Sequence, residues 1–380
     1  MTAETTNAET PLGAKLKARI RRDGPIDVSA YMLACLADPE HGYYKRRSAI
    51  GAAGDFVTAP EISQVFGELI GLWCAVVWQQ MGSPGRVNLV ELGAGRGTMM
   101  RDALRAARLV PAFRSALSVH LVDSNETLRD LQRVTLAECG VPVHFHGDAV
   151  SALTSASHIP DHPTIVLANE FLDALPIAQL VYAEGDWRAR KVTVDAGGAL
   201  QFTLDRGARL DPALLHETPT APRDGDILEV CADHEAVVAA GLRSRASLAP
   251  LAALFIDYGH TATGFGDTLQ GVAGQKHVSP FHRPGETDLS AQVDFQSFAK
   301  SCAAAGLAVD GPMPQAEFLG RLGIIERASR LMSANPAMAS EIEAGVARLI
   351  APTGMGSRFL ALGVRSPALP PLPAFEQADA

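Results

Sequence analysis

The chain has no pair of cysteines close enough in sequence to share a metal. Its five cysteines, Cys35, Cys74, Cys139, Cys231 and Cys302, are scattered through 380 residues without a C-x-x-C spacing. That argues against a zinc site and for reduced thiols in a cytosolic setting. There is also no apolar run of membrane-spanning length, so membrane insertion is not expected. No signal peptide is visible, and Glu4 and Glu9 in the opening MTAETTNAET speak against a mitochondrial presequence. The expectation is a bacterial cytoplasmic protein. Basic runs are missing as well: 33 Lys and Arg stand against 42 Asp and Glu, a net charge of −9. This leaves no electrostatic footprint for nucleic acid. An acidic surface suits a basic partner such as an arginine-bearing protein segment, although solubility accounts for it equally.

Apolar residues, by contrast, make up 47% of the chain, enough for one large or two ordinary domains with a sizeable core. The organising stretch is Val87–Met100, VNLVELGAGRGTMM. An apolar run suited to a buried strand ends in Glu91, a glycine turn follows through Gly93, Gly95 and Gly97, and Thr98 to Arg108 has helical pattern. Strand, glycine turn and helix open a doubly wound α/β nucleotide-binding fold. The spacing is not that of a dinucleotide site. G-x-G-x-x-G would need glycine at Thr98, whereas the third glycine comes one residue early. Glu91 would repel phosphates but could accept hydrogen bonds from a cationic ligand.

Along the rest of the chain, Leu16 to Arg22 reads as a basic helix and Ala30 to Ala37 as another. Residues 50–67 read as a loop with Asp55 and Thr58 at its polar tip and Pro60 at a helix start. Glu61 to Met81 reads as one long apolar-faced helix. Leu117–Asp123 is a second buried strand ending in an acid, placed as a ribose-binding carboxylate is, though beyond the usual ~20 residues from the turn. Val141–Phe145 is a third strand. It leads to Asp148, which suits either an exocyclic amine such as that of adenine or a helix cap. Thr164–Ala168 is a fourth strand, followed by Asn169, Glu170, Phe171, Leu172 and Asp173. That group stands where ligands bind in open α/β sheets, outside the carboxyl ends of the strands.

Ala178 to Leu204 breaks the alternation with three short strands and turns at Gly185-Asp186 and Gly197-Gly198, a β insertion suited to a substrate platform or a homodimer surface. Ala252–Tyr258 is a core strand. His260 to Ser290 reads as a long polar loop; its His277 and His282 lack a third metal ligand at matched spacing. Gln315 to Leu331 reads as one helix, Arg358 to Val364 as the last strand, and the Pro-rich segment after Ser366 as frayed.

GYY (42–44), GDFVTAPEISQVFGELIGLW (54–73), ELGAGRGTMMRDALR (91–105), NEFLDALP (169–176), DYG (257–259) and PGETDLSAQVDF (284–295) occur in this order. Together they resemble the MidA-type methyltransferase family, which includes mitochondrial assembly factors of respiratory complex I. The resemblance implies a class I methyltransferase fold, a Rossmann-like doubly wound α/β sheet with an N-terminal helical cap and a β insertion, binding S-adenosyl-L-methionine. The implied division is residues 1–66 as helical segment and cofactor-closing loop, 67–177 as the first part of the core, 178–226 as the insertion, and 227–380 as the remaining core with acceptor-side elements.

The implied reaction is arginine dimethylation, symmetric in the mitochondrial members, on a complex I core subunit. By the same resemblance Glu91, Gly93, Gly95 and Gly97 line the methionine part of the cofactor, Asp123 takes the ribose, and Asp148 and Ala149 the adenine edge. Asp55, Thr58, Pro60 and Glu61 close over it. Glu170 and Asp173, with Asn169 behind them, are the expected acceptor-binding and catalytic groups, because carboxylates can grip a guanidinium bidentately. Two rival readings are an assembly chaperone that binds the cofactor and holds a partner subunit, and an NAD-dependent oxidoreductase.

Overall fold

The computed structural model describes residues 9–45, 58–155, 157–205 and 220–376. Seven strands carry the main sheet: β1 (Val87–Leu92), β2 (Leu117–Val122), β3 (Val143–His146), β4 (Thr164–Asn169), β5 (Leu251–His260), β6 (Ala308–Pro314) and β7 (Phe359–Arg365). Their spatial order is β6-β7-β5-β4-β1-β2-β3, and Val293–Asp294 adds a short strand beside β5. β3, β2, β1, β4 and β5 run parallel, whereas β7 is antiparallel to both β5 and β6.

The apolar runs are continuous because both faces of the sheet are covered. Leu89, Val119, Leu121, Ile165, Leu167, Leu254 and Ile256 point into one core, and Val90, Leu92, Val122, Val166, Ala168 and Phe255 into the other. A third core gathers the N-terminal helices, Pro11–Asp23 and Val28–Ala37. Leu16, Ile20, Tyr31 and Met32 pack there against Val192 and Leu289.

The first core depends on close approach of two helices, Gln64–Gln80 and Thr98–Ala106. A Cβ on Gly71 would lie 2.4 Å from the Ala103 carbonyl oxygen, and one on Gly67 2.8 Å from the Asp102 Cβ. Between these glycines the buried Glu68 carboxylate pairs with Arg327 at 2.8 Å and with Arg105 at 3.5 Å. Buried Asp102 pairs with Arg101 and Arg105. Acids placed between apolar layers need such partners, because an unpaired buried charge is costly.

The three strands expected over residues 178–204 form: Ala178–Ala183, Asp186–Val194 and Leu200–Leu204. The first tight turn is one residue earlier than expected, at Glu184-Gly185, both with positive φ. The sheet also takes in Ile227–Val230 and Ile26–Asp27.

Four expectations are corrected. The helix read over 61–81 is two, Ala59–Ile62 and Gln64–Gln80, because Ser63 is extended and caps the second through the Val65 N–H. The helix read over 315–331 is interrupted by the left-handed Gly323. The polar loop after His260 holds a three-stranded sheet, Gln270–Ala273, Lys276–Val278 and Asp288–Ser290. The short strands carry too few residues for a clear two-residue period.

The segment after Ser366 is packed rather than frayed. Leu369, Leu372 and Phe375 are buried in the first core, the Leu372 N–H donates to Asp310 Oδ2, and Trp73 Nε1 donates to the Pro373 carbonyl. Prolines suggested fraying, but apolar residues between them make contacts that local composition does not reveal.

Gly71→Ala is expected to push the two helices apart and to cost about 1–3 kcal/mol, as overpacking does. Thermal unfolding followed by circular dichroism should show a lowered Tm; an unchanged Tm would mean that the helix pair yields without cost.

Candidate active site

The strand order reverses between β1 and β4: one leads to β2 and β3, the other to β5. A crevice must open beyond the carboxyl ends at such a point, because the following connections leave in opposite directions. The glycine turn leaves β1 there. Gly93 has φ +67°, and a Cβ on it would lie 3.0 Å from the Phe171 ring. Bare backbone is therefore required on geometric and steric grounds. Gly95 and Gly97 also have positive φ. Gln132 fixes the turn, its amide nitrogen donating to the Gly95 carbonyl at 2.9 Å.

A cavity of about 390 Å³ lies over this turn. Its wall includes Gly93, Gly95, Asp123, Asp148, Ala149 and Glu170. Six of the residues proposed from sequence, drawn from separate segments, thus meet on one concave surface. A second cavity of about 750 Å³ shares Glu170 with it and extends past Tyr258 and Gln270 to Arg348 and Arg358. Glu91, Gly97, Asn169 and Asp173 are not in either wall; Glu91 and Asn169 are buried.

Glu170 has φ +52°, a backbone state that a glutamate adopts at some cost. Its Oε1 accepts from the Ala59 N–H and from Asn169 Nδ2, both at 3.0 Å. The loop that carries it hangs on Asp257, a buried acid at the end of β5. Asp257 Oδ2 accepts from three successive N–H groups, Phe171 at 3.1 Å, Leu172 at 2.9 Å and Asp173 at 3.2 Å. Its Oδ1 accepts from the Tyr258 N–H.

Five carboxyl groups are therefore crowded at the crevice. Burial, then the charge of Asp123, pushes Glu91 up to about 8. Burial pushes Asp123 up to about 6, against the Asn125 N–H and Arg129. Burial, with Asp173 nearby, pushes Glu170 up to about 7, against the Ala59 N–H, Asn169 and Arg348. Asp173 is raised by burial to about 6, against the Tyr258 hydroxyl. Asp257 is raised well above the ordinary range by burial, then by Asp173 and Glu170. Such a cluster is short of positive charge, and a cationic ligand would favour its ionised form.

The remaining expected residues fall as follows. Asp148 is exposed, and its Oδ2 accepts from the Ser151 N–H at 2.6 Å, capping Ala149–Thr154. The helix-cap reading is the one seen, and the residue also forms part of the cavity wall. The Thr58 carbonyl accepts from the N–H groups of Glu61 and Ile62. Pro60 and Glu61 line a separate cavity with Thr98 and Arg101, and Glu61 accepts from the Thr98 hydroxyl at 2.6 Å. They brace the helix after the glycine turn instead of entering the large cavity. Asp55 lies outside the described residues.

The residues fit S-adenosyl-L-methionine. Glu91 Oε2 is buried with no hydrogen-bond partner among the described residues, bare glycine backbone lies open, and Asp123 presents a carboxylate to the cavity. Five parallel strands, an antiparallel β7 and an anionic crevice at the switch point define a class I S-adenosyl-L-methionine-dependent methyltransferase. The profile of the family described as “Putative S-adenosyl-L-methionine-dependent methyltransferase” matches residues 69–313, and the chain belongs to that family, of the MidA type.

The chain is 35% identical to the protein arginine methyltransferase NDUFAF7 of Mus musculus, covering 93% of this chain and 84% of that one. Against the Homo sapiens protein of the same name the identity is 35%, with 93% and 83% covered. A crystal structure from Burkholderia thailandensis, bound to S-adenosyl-homocysteine, superposes with TM-score 0.81 at 27% identity over 97% of this chain and 95% of that one.

Sequence reasoning missed the roles of Asp257 and Gln132, and the whole of the second cavity. The DYG string at the end of β5 was a signal for Asp257. An acid at the carboxyl end of a parallel strand beside β4 is placed to reach the β4 loop. Gln132 had none, being one polar residue inside a helix.

Asp257→Ala orphans the N–H groups of residues 171–173 and is expected to cost on the order of 3 kcal/mol. It should also weaken S-adenosyl-homocysteine binding in calorimetry. Unaltered stability and affinity would show that the loop holds without this anchor.

Proposed function

We propose that the chain is a protein arginine N-methyltransferase whose acceptor side chain enters the 750 Å³ cavity and meets Glu170. One observation carries this reading: Glu170 lines both cavities, so a single carboxylate borders the cofactor side and the acceptor side. The names of the NDUFAF7 relatives support an arginine acceptor. By the MidA-type resemblance, we further propose that the acceptor belongs to a core subunit of respiratory complex I, that the product is symmetric dimethylarginine, and that assembly of the complex benefits. The five unbridged cysteines support a reducing, cytoplasmic setting.

The cofactor would be held by the glycine turn at residues 93–97, with Glu91 and Asp123 as carboxylate acceptors and Asp148 and Ala149 at the far wall. When bound, it supplies an electrophilic methyl group on a positively charged sulfur. A guanidinium is planar, permanently charged and a weak nucleophile. The Glu170 carboxylate can take its N–H fork, fix its plane and draw positive charge away from the free nitrogen. Asn169 and the Ala59 N–H hold that carboxylate in place. Asp173, buried beside Tyr258, adds negative charge behind it and is a positioning residue here. Leu36, Leu128 and Leu175 give the cofactor cavity apolar walls, which limits competing water. A carboxyl group raised to about 7 can also receive the proton that a methylated guanidinium sheds.

Glu170→Gln is expected to abolish arginine methylation while S-adenosyl-L-methionine affinity in calorimetry stays nearly intact; equal loss of both would sink the assigned role. Complex I from cells with the gene deleted, then complemented with wild type or this variant, can be searched by mass spectrometry for the methylated arginine. Because Glu170 must be ionised to hold the guanidinium, kcat/KM for an arginine peptide is expected to rise with pH, half-maximal near 7. A rate flat from pH 6 to 8 would remove Glu170 from the rate-controlling ionisations.

A further inference from the structure

The acceptor cavity has a charge pattern opposite to that of the chain as a whole. The protein carries −9 overall, yet among the residues lining this cavity Glu170 is the single carboxylate, and Lys276, Arg348 and Arg358 stand with it. All three cations are exposed. Neither Arg348 nor Arg358 makes an ion pair or a side-chain hydrogen bond among the described residues, and the Arg348 charge acts on Glu170 only as a weaker opposing one. They come from separate elements: Arg348 from the last turn of the helix Ala339–Ile350, Arg358 from the loop before β7, and Lys276 from the strand Lys276–Val278. A basic residue in a last helical turn is explained by the helix dipole. That explanation fails for Arg358 and Lys276, which are in no helix. The Arg358 backbone is held in place at the cavity, its carbonyl accepting from the Gly259 N–H at 3.2 Å.

An isolated arginine approaching Glu170 through this entrance would pass three like charges. Like charges at an interface disfavour a partner unless it brings compensating groups. We propose that the acceptor cavity selects an arginine flanked by acidic side chains, which Arg348 and Arg358 hold at its rim. This rests on the arginine reading given above. The arrangement divides recognition in two: Glu170 takes the guanidinium at the floor, and guanidinium groups of the enzyme take carboxylates beside it in the same chain, bidentate contacts at both ends.

The test uses fluorescein-labelled peptides and the full chain with S-adenosyl-homocysteine present. Binding is followed by anisotropy, and methylation with S-adenosyl-L-methionine by mass spectrometry. One peptide carries a central arginine flanked by aspartates, a second replaces those with asparagine, and a third keeps the aspartates but has norleucine for arginine. The acidic arginine peptide is expected to bind about tenfold more tightly than its amide counterpart at low salt, with the difference shrinking as salt is raised. Arg348→Ala with Arg358→Ala should erase the difference, and R348E with R358E should invert it. Calorimetry with S-adenosyl-homocysteine verifies that both double variants are folded.

Equal affinity of the acidic and amide peptides for wild type overturns the rim proposal and leaves the arginine reading standing. If the norleucine peptide binds as tightly as its arginine parent and no peptide is methylated, the arginine reading falls while the cationic rim stands. No binding by any peptide overturns both.

Discussion

The site depends on one buried carboxylate. Asp257 stands at the end of β5 and takes the N–H groups of residues 171, 172 and 173 on a single oxygen. A loop leaving a strand end has unpaired amides, and burying them without acceptors costs on the order of 1–3 kcal/mol each. Asp257 supplies that acceptor from the neighbouring strand, so the parallel pairing of β4 with β5 sets the position of the loop. Everything the loop carries follows: Glu170 in its left-handed backbone state, Phe171 over Gly93, and Asp173 beside Tyr258. The constraint links the sheet's register to the geometry of Glu170.

The same anchor is one of several acids crowded at the crevice. Each carboxyl group there is raised, and several act on one another: Asp123 on Glu91, Asp173 on Glu170, and both Asp173 and Glu170 on Asp257. Elsewhere in the molecule buried acids are neutralised from within, Glu68 by Arg327 and Arg105, and Asp102 by Arg101 and Arg105. Among the described residues the crevice acids have no such cation of their own; Arg129 and Arg348 act on them only as weaker opposing charges. Internal neutralisation marks the acids that hold helices together. Its absence leaves the crevice short of positive charge, a deficit that the sulfonium of S-adenosyl-L-methionine matches.

How much of this was legible in the sequence depended on whether the signal was local. The glycine turn, the acids ending β1 and β2, and the strings around Glu170 and Asp257 are each contained in a few residues. They predicted the sheet, the crevice and part of the wall of the first cavity. The three strands of the insertion were equally local, each bounded by a turn. What failed needed distant partners. The segment after Ser366 looked frayed because nothing in it announces that Trp73 and Asp310 will bind its backbone. The hairpins after His260 are too short for a period. Pro60 and Glu61 were expected over the cofactor, but the Thr98 hydroxyl that takes Glu61 becomes a neighbour only once two helices have packed. The second cavity was invisible because its walls come from the Tyr258 strand end, a hairpin and the loop before β7.

Glu170 sits in a backbone state that its surroundings must offset. In the left-handed region a glycine or asparagine would be less strained, and a glutamate there needs compensation. It receives two hydrogen bonds, from Ala59 and Asn169. The Ala59 bond ties the N-terminal helical segment to the loop after β4. The segment expected to close over the cofactor is thereby connected to the acid that lines both cavities, although Pro60 and Glu61 themselves line a separate cavity with Thr98. A displacement of Ala59 would change the environment of Glu170 directly, through one hydrogen bond and without a chain of intermediates. The fold therefore couples the N-terminal segment to Glu170 through a part-buried hydrogen bond, and that bond together with the one from Asn169 holds the carboxylate where both cavities meet.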